Sequence, residues 1–505
     1  MNIIDIFYEN VKKAPNKIAI ICEDKKLSYK KLSEDIEKLS ITFREKGLKE
    51  NDKIVILLNN SIEFATTLLT CAKEGLTLVA VNPSLKIGDI KKTIKSTDAK
   101  AILSYTHILK NIKNELIDIK YIDIVNDFQN ISLKDIKQNF KKSNISVDIP
   151  YILSMTSGST GDPKPIIFSQ KTKIDRAFLS AKKLYNLNKN DTILASTPMY
   201  HSLAQRLVLL PLLMGATSVI SVKFSPKKWL EAIQKHRVTF TMTTSTHINL
   251  ILKEMEKNCY DLSSLKTIVS SSALLPYDIK QRCIKEFKAS FYEIYGASEV
   301  GTLTNLSPID THKSKSVGKA LDYVDIKIIL TDSTLAKPNQ IGEIVCYTKT
   351  AFLGYYNLPQ KTKKSFWKEK YFKTGDLGYL DEDGYLYFSG RKKEMINVSG
   401  INVYPKDIEE VINSCSLVKE CAVIGVDDQY FGEAILAIIS DENANLKEIK
   451  RKCLDNLADF QQPHAFEVIK ELPKNEMGKI SKLKLKEIYK NYDATKNFRK
   501  LKGFT

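Results

Sequence analysis

A chain of 505 residues with 43% apolar and 27% charged residues has an ordinary globular composition but is too long for one compact core, so two or more domains are expected. The formal net charge of +18 comes mainly from lysine spread among isoleucine and asparagine along the whole chain. It reads as compositional bias: a field that favours anionic ligands such as nucleotides or an acidic carrier protein, with no nucleic acid expected. No run of about 18 uninterrupted apolar residues occurs, so no membrane span is expected.

The N-terminus, Met1 to Ile6, lacks a basic segment followed by a long apolar stretch and does not read as a secretory signal. The eight cysteines are scattered without a C-x-x-C pair, which favours reduced thiols and a cytoplasmic protein. The six histidines lie apart, without zinc-type spacing. Glu34 to Gly47 has helical periodicity and ends at a glycine, as a C-cap would. Lys53 to Leu58 predicts a buried strand, Phe64 to Gly75 a helix and Leu76 to Val81 a second strand. That alternation points to parallel sheet with crossover helices.

The apolar run Ile149-Pro150-Tyr151-Ile152-Leu153 then feeds Thr156-Ser157-Gly158-Ser159-Thr160-Gly161-Asp162-Pro163-Lys164. Glycines let backbone N–H groups turn onto an anion, hydroxyls add donors and the lysine supplies a point charge. The spacing is not that of a Walker A motif, and a Ser/Thr/Gly loop by itself is more often a solvated turn. The αβ pattern resumes with strands at Asp191 to Ala195, Ala216 to Ile220 and Thr239 to Met242. From Gly318 to Gly390 the texture becomes short β runs, at Asp325 to Leu330, Gly342 to Tyr347 and Gly384 to Phe388. A last segment carries a helix at Pro405 to Asn413 and a strand at Cys421 to Val426.

Several further motifs follow in order. Leu27 to Leu32, Lys73 to Leu76 and Asn82-Pro83 precede the Thr156–Lys164 loop. Tyr295-Gly296-Ala297-Ser298-Glu299, Gly354-Tyr355, Thr374-Gly375-Asp376, Gly390 to Ile396 and Pro473 to Lys479 come after it. Together they resemble the adenylate-forming superfamily of acyl-CoA synthetases, aryl-CoA ligases, luciferases and peptide-synthetase adenylation domains, across nearly the whole chain. The resemblance implies an α/β fold with a large N-terminal domain, residues 1–390, of parallel-type αβ subdomains plus a small β subdomain. A hinge at 391–393 and a small mobile α+β domain at 394–505 would follow.

It also implies a chemistry. A carboxylate attacks the α-phosphate of ATP, giving an acyl-adenylate and pyrophosphate, and a thiol then takes the acyl group. Bringing one anion onto another demands charge neutralisation and positioning. By resemblance, Thr156, Ser157, Gly158, Ser159, Thr160, Gly161 and Lys164 grip the phosphates, and Ser272 and Ala273 lie against adenine. Tyr295 and Gly296 belong to the same nucleotide site, where Ser298 bonds the α-phosphate and Glu299 ligates Mg²⁺. Asp376 accepts from the ribose hydroxyls, and Arg391 adds a ribose or phosphate contact. Lys479 bridges the attacking carboxylate and the α-phosphate, and Lys393 is the hinge through which Lys479 is withdrawn for thiol attack. Outside that setting, Glu299 reads as an exposed acid, Asp376 as a turn former and Lys479 as a solvated lysine.

On the substrate side lie His201 and Ser202, where amino-acid-activating relatives carry an aspartate for the substrate ammonium. Its lack here argues for a fatty, aryl or other simple carboxylic acid, although His201 also fits an apolar core. Ser245 to Leu250 is expected to line the same pocket. Ser399-Gly400 would run beside the pantetheine arm of CoA or of a carrier protein's phosphopantetheine. An acyl- or aryl-CoA ligase is the leading reading. A stand-alone enzyme that loads an acyl or amino acid onto a separate acyl carrier protein is the second, and a non-catalytic nucleotide-binding scaffold the third. One departure stands out: the family usually has Lys-Gly where this chain has Lys164-Pro165, and proline removes a backbone donor.

Overall fold

A computed structural model describes residues 1–116, 118–129, 143–156, 164–272, 275–415, 418–429, 431–441, 444–475 and 478–494. The chain forms two compact units, one comprising Met1–Thr311, Leu321–Val324 and Tyr347–Lys370, the other His312–Ala320, Asp325–Cys346 and Tyr371–Thr505.

In the first unit, strands Lys53–Leu57, Thr77–Ala80, Ala101–Ser104, Lys120–Asp123 and Pro150–Thr156 pair in parallel. Helices cross between them, as the alternating pattern predicts. Helix Ile62–Glu74 starts where the Ser61 hydroxyl accepts from the Phe64 N–H and stops at Gly75, whose φ of 67° is left-handed. The strand interiors, from Ile54 to Leu57 and from Leu78 to Ala80, are almost wholly buried, because helices cover both sheet faces. The chain then reverses. Lys164–Ser169 runs antiparallel to Pro150–Thr156, and Gly354–Tyr355 adds beyond it.

A second sheet in this unit orders the strands Gly301–Leu306, Ser290–Ala297, Thr267–Ser271, Phe240–Thr244, Thr192–Ala195, Thr217–Ile220, Ile18–Cys22 and Lys25–Ser28. Its interior pairs are parallel, and each end is closed by an antiparallel hairpin. Trp229, Leu230, Ile233, Ile248, Ile251 and Phe287 pack over it in one apolar cluster.

The second unit holds a β sheet in which Gly342–Thr348, Tyr371–Leu380 and Leu386–Arg391 pair antiparallel in turn. The last of these begins two residues later than the pattern Gly384 to Phe388 predicts. The Gly384 N–H closes a turn onto the Asp381 carbonyl, and Gly384 itself is left-handed at φ 80°. Another sheet orders Ile401–Val403, Ile396–Val398, Gly432–Ser440 and Cys421–Asp428, with Ala465–Ile469 parallel to Gly432–Ser440. Helices Pro405–Asn413 and Leu446–Asn456 lay Ile408, Ile412, Ile449 and Cys453 into its core. No helix among the described residues is long and apolar enough to cross a membrane.

Candidate active site

Strand Pro150–Thr156 delivers the chain to the Ser/Thr/Gly loop, whose Ser157, Gly158, Ser159, Thr160 and Gly161 lie outside the described residues. The hairpin register fixes the loop's two ends, with Thr156 opposite Lys164 and Met155 opposite Pro165. Pro165 therefore sits inside a strand. Its carbonyl accepts from the Tyr356 N–H at 2.9 Å, and having no N–H it can return no bond. The departure from Lys-Gly costs one ladder bond next to a two-residue strand and leaves Lys164 in register. Burial, then the neighbouring Lys361, lowers the Lys164 pKa, and the charge of Glu299 opposes the shift.

Glu299 belongs to the turn between strands Ser290–Ala297 and Gly301–Leu306. A Cβ at Gly296 would stand 1.9 Å from the Gly301 carbonyl oxygen, so only glycine lets this hairpin close. Tyr295 precedes it at a register shift. Ser298 is exposed and Glu299 half-buried, and Glu299 Oε1 accepts from the Tyr355 hydroxyl at 2.9 Å. The turn is clamped from beneath by Arg176, only 2% exposed. Its Nη1 donates to the Ser298 carbonyl (3.0 Å) and its Nη2 to that of Glu299 (2.9 Å). Nε and Nη2 both reach the Thr350 carbonyl (3.0 and 2.9 Å). The guanidinium also lies 4.5 Å from the Phe168 ring centroid. Burial and then Arg206 pull its pKa down, while Glu299 holds it up.

Ser272 ends strand Thr267–Ser271 with φ at 77°, a left-handed conformation uncommon for a side chain with a Cβ. Ala273 lies outside the described residues. Beyond it, the Leu275 N–H donates to Glu293 Oε1 at 3.0 Å, and Glu293 forms a buried ion pair with Lys280.

His201 is the N-cap residue of helix Ser202–Met214, with no side-chain capping bond. The turn before the helix is held by the buried Asn60. Its Oδ1 accepts from the Met199 N–H (2.6 Å) and its Nδ2 donates to the Thr197 and Ser221 carbonyls (both 2.9 Å). Ser202 Oγ accepts from Lys173 Nζ at 3.3 Å, and Gln205 Oε1 from the same ammonium at 2.8 Å. The helix at Ser245 runs on to Met255. In it, His247 stacks on Phe224 with ring centroids 3.5 Å apart, and burial pushes its pKa down to about 4.

In the second unit, the register puts Asp376 opposite Arg391, whose Nε stands 3.3 Å from Asp376 Oδ1. Asp376 is 5% exposed, and its N–H donates to Thr374 Oγ1 at 3.1 Å. Lys479 joins them. Its backbone exchanges bonds with Asn475, whose Oδ1 accepts from the Lys479 N–H (3.0 Å) and whose own N–H donates to the Lys479 carbonyl (2.8 Å). The left-handed Gly478 (φ 75°) closes the turn. Burial, and then repulsion from Arg391, lowers the Lys479 pKa to about 8, partly offset by Asp376.

Lys393 lies in the short 3₁₀ turn Lys392–Glu394. Immediately after it, Lys482 ties Glu394 (3.3 Å) to Glu409 (2.7 Å). Ser399 and Gly400, with φ of 50° and 89°, make the two-residue tip of the hairpin Ile396–Val403. Their N–H groups donate to the Phe431 carbonyl (2.8 Å) and to Asn397 Oδ1 (2.9 Å).

The structure thus brings together Lys164, Ser298 and Glu299 in one unit, and Asp376, Arg391 and Lys479 in the other. Arg176, Tyr355, Asn60 and Lys173 are part of this architecture but were not read as site residues. Tyr355 lies in the Gly354-Tyr355 motif. The other three act on carbonyls or amides of distant segments, and no local pattern marks such partners.

The profile of the AMP-binding enzyme family matches residues 7–356, and that of the AMP-binding enzyme C-terminal domain matches residues 407–479. The chain belongs to the AMP-binding enzyme family. It is 27% identical to a long-chain-fatty-acid–CoA ligase of Bacillus subtilis, over 95% of this chain and 93% of that one. To a 2-succinylbenzoate–CoA ligase of Bacillus pumilus it is 28% identical, over 94% and 95%. Among solved structures, o-succinylbenzoate CoA synthetase from Bacillus subtilis with its acyl-adenylate intermediate superposes with a TM-score of 0.87 at 25% identity, covering 95% of this chain and 98% of that one.

Proposed function

We propose that the protein is an AMP-forming acid–CoA ligase in which Lys479, Glu299 and Asp376 carry the first half-reaction. A carboxylate oxygen of the acid attacks the α-phosphorus of ATP, and the bond to pyrophosphate breaks. In the second step the thiolate of CoA attacks the acyl carbon, the thioester forms and AMP leaves with the electron pair. The acid and ATP are both anionic, so the first step is governed by how well positive charge is placed between them.

The observation that carries this reading is the half-buried position of Lys479 beside Asp376 and Arg391. A solvated lysine would have no cause for a lowered pKa. The Lys479 ammonium would neutralise charge shared by the attacking carboxylate and the α-phosphate, while Asp376 accepts from the ribose hydroxyls. Ser298 presents an exposed hydroxyl for the α-phosphate, Lys164 faces the pyrophosphate side, and Tyr295, Gly296 and Ser272 shape the wall against the base.

Glu299 fits Mg²⁺. Its carboxylate is half-exposed with one oxygen on Tyr355, and among the described residues no three acidic, His or Cys side chains gather to hold a metal unaided. Glu299, phosphate and water oxygens would complete the shell, and the ion when bound would neutralise phosphate charge.

Rotation at Lys393 would carry Lys479 away from Asp376 and bring the Ser399-Gly400 tip toward the pantetheine arm. Residues 1–390 and 394–505 would move as the two bodies. Lys173, Arg176 and Arg206 disfavour an α-ammonium near His201 and Ser202, which supports a simple carboxylic acid over an amino acid. A reducing cytoplasmic setting belongs to the same proposal and rests on the scattered cysteines. A screen of carboxylic acids for ATP-dependent pyrophosphate release, run with CoA and with acyl carrier protein as acceptors, tests it. Release with some acid and thioester formation on CoA is expected. No release with any acid contradicts the reading, and thioester on carrier protein alone replaces CoA as acceptor.

A further inference from the structure

Lys173, Arg176 and Arg206 form a cationic cluster behind the substrate-side helix. Lys173 is 4% exposed and Arg176 2%. Arg176 and Arg206 help to lower the Lys173 pKa, and Arg206 that of Arg176. No carboxylate among the described residues lies within ion-pair distance of any of them. Burying like charges together is costly; the charge of Glu299 opposes the cost at Arg176 alone, and the fold meets it unevenly. Arg176 spends its donors on three backbone carbonyls and is a structural clamp. Lys173 is held by Ser202 and Gln205.

Arg206 is different. Its Nη1 donates to the Thr302 hydroxyl at 3.0 Å, its Nε is enclosed with no hydrogen-bond partner among the described residues, and the residue keeps some solvent access. The phenols of Tyr185 and Tyr323 are its electrostatic neighbours. Tyr323 is hydrogen-bonded (2.6 Å) to Ser180, which lies where helix Gln170–Ala177 widens into the π-helical turn Phe178–Lys183. Such widened turns recur at ligand sites.

Arg206 sits on the same helix as Ser202, one turn on, and touches Thr302, the residue opposite Gly296 in the Glu299 hairpin. We infer that Arg206, backed by Lys173, receives a second anionic group at the far end of the acid, so that the preferred substrate is a dicarboxylic acid. This rests on the acid-activating reading of the same site. A carboxylate there would give Arg206 a counterion at the accessible part of its guanidinium and draw the phenols of Tyr185 and Tyr323 into its coordination. A methyl terminus in the same place would leave the guanidinium unpaired.

The test measures pyrophosphate release for straight-chain dicarboxylates, from succinate to suberate, against monocarboxylates of matching carbon number. The wild-type enzyme is compared with Arg206→Met and Arg206→Lys. The wild type is expected to favour a dicarboxylate by at least about tenfold in kcat/KM. Arg206→Met should abolish or reverse that preference, Arg206→Lys should restore part of it, and the KM for ATP should stay within twofold of wild type. A wild-type preference for monocarboxylates overturns the inference while leaving acid activation intact, and it does so even if the variants fail to fold. An equal loss on both acid series, or a shift in the KM for ATP, overturns it as well. No release with either series overturns the inference, and release with an aryl acid in the same assay then shows that acid activation itself stands.

Discussion

Arg176 shows how one buried side chain sets the shape of the nucleotide side. Its guanidinium satisfies the carbonyls of Ser298, Glu299 and Thr350 at once, so the turn that carries the candidate metal ligand is tied to a segment fifty residues away in sequence. Arg176→Met would leave the Ser298 and Thr350 carbonyls without this donor, at about 1–3 kcal/mol for each unsatisfied group, while the Glu299 carbonyl keeps the Phe352 N–H at 2.7 Å. A loss of at least about 3 kcal/mol in denaturant unfolding is expected, with a raised Mg²⁺ requirement for adenylation. Arg176→Lys should recover little, because an ammonium cannot reach three carbonyls as a planar fork does.

Lys479 makes a different residue-scale prediction. With its pKa lowered to about 8, the ammonium is present below that pH and lost above it. Single-turnover adenylation should therefore fall as pH rises through about 8, and Lys479→Arg should remove that limb of the profile. A wild-type profile flat to about pH 9.5 would contradict this.

At the scale of elements, the hairpins decide what glycine is for. Gly296 is needed for space, since its missing Cβ would collide with the Gly301 carbonyl. Gly400 is needed only for its φ of 89°, since nothing lies within 4 Å of an added Cβ. Gly400→Ala should cost about 1–2 kcal/mol in thermal unfolding, and Gly296→Ala should cost more and also raise the KM for ATP. Equal costs would mean that the two hairpins are not built differently.

Much at this scale was legible in the sequence. The αβ alternation before Thr156 became parallel strands with crossover helices, and helix Pro405–Asn413 has its expected bounds. Motif order singles out Glu299, Asp376 and Lys479 as candidates because glycine and turn residues surround each of them. The cluster of Lys173, Arg176 and Arg206 was not legible. Basic residues on a helix read as surface, and only the packing of Gln170–Ala177 against Ser202–Met214 turns these inward. Pro165 looked like a disturbance of the loop. The strand register shows it as a tolerated residue at a short ladder.

For the whole molecule, the proposed pair of half-reactions would have Lys479 serve one and leave for the other. The short turn at Lys393, followed by the anchored Glu394, is where such a rotation would be taken up. Lys393→Pro should slow thioester formation from a supplied acyl-adenylate more than it slows adenylation, and equal slowing of both would place the hinge elsewhere. The most direct measurement is the pair of half-reaction rates for Lys479→Ala. Acid-dependent exchange of pyrophosphate into ATP should fall by at least about a hundredfold, while acyl transfer to CoA from a supplied adenylate stays within a few-fold of wild type. Undiminished exchange, or equal loss in both half-reactions, would contradict the role given to Lys479.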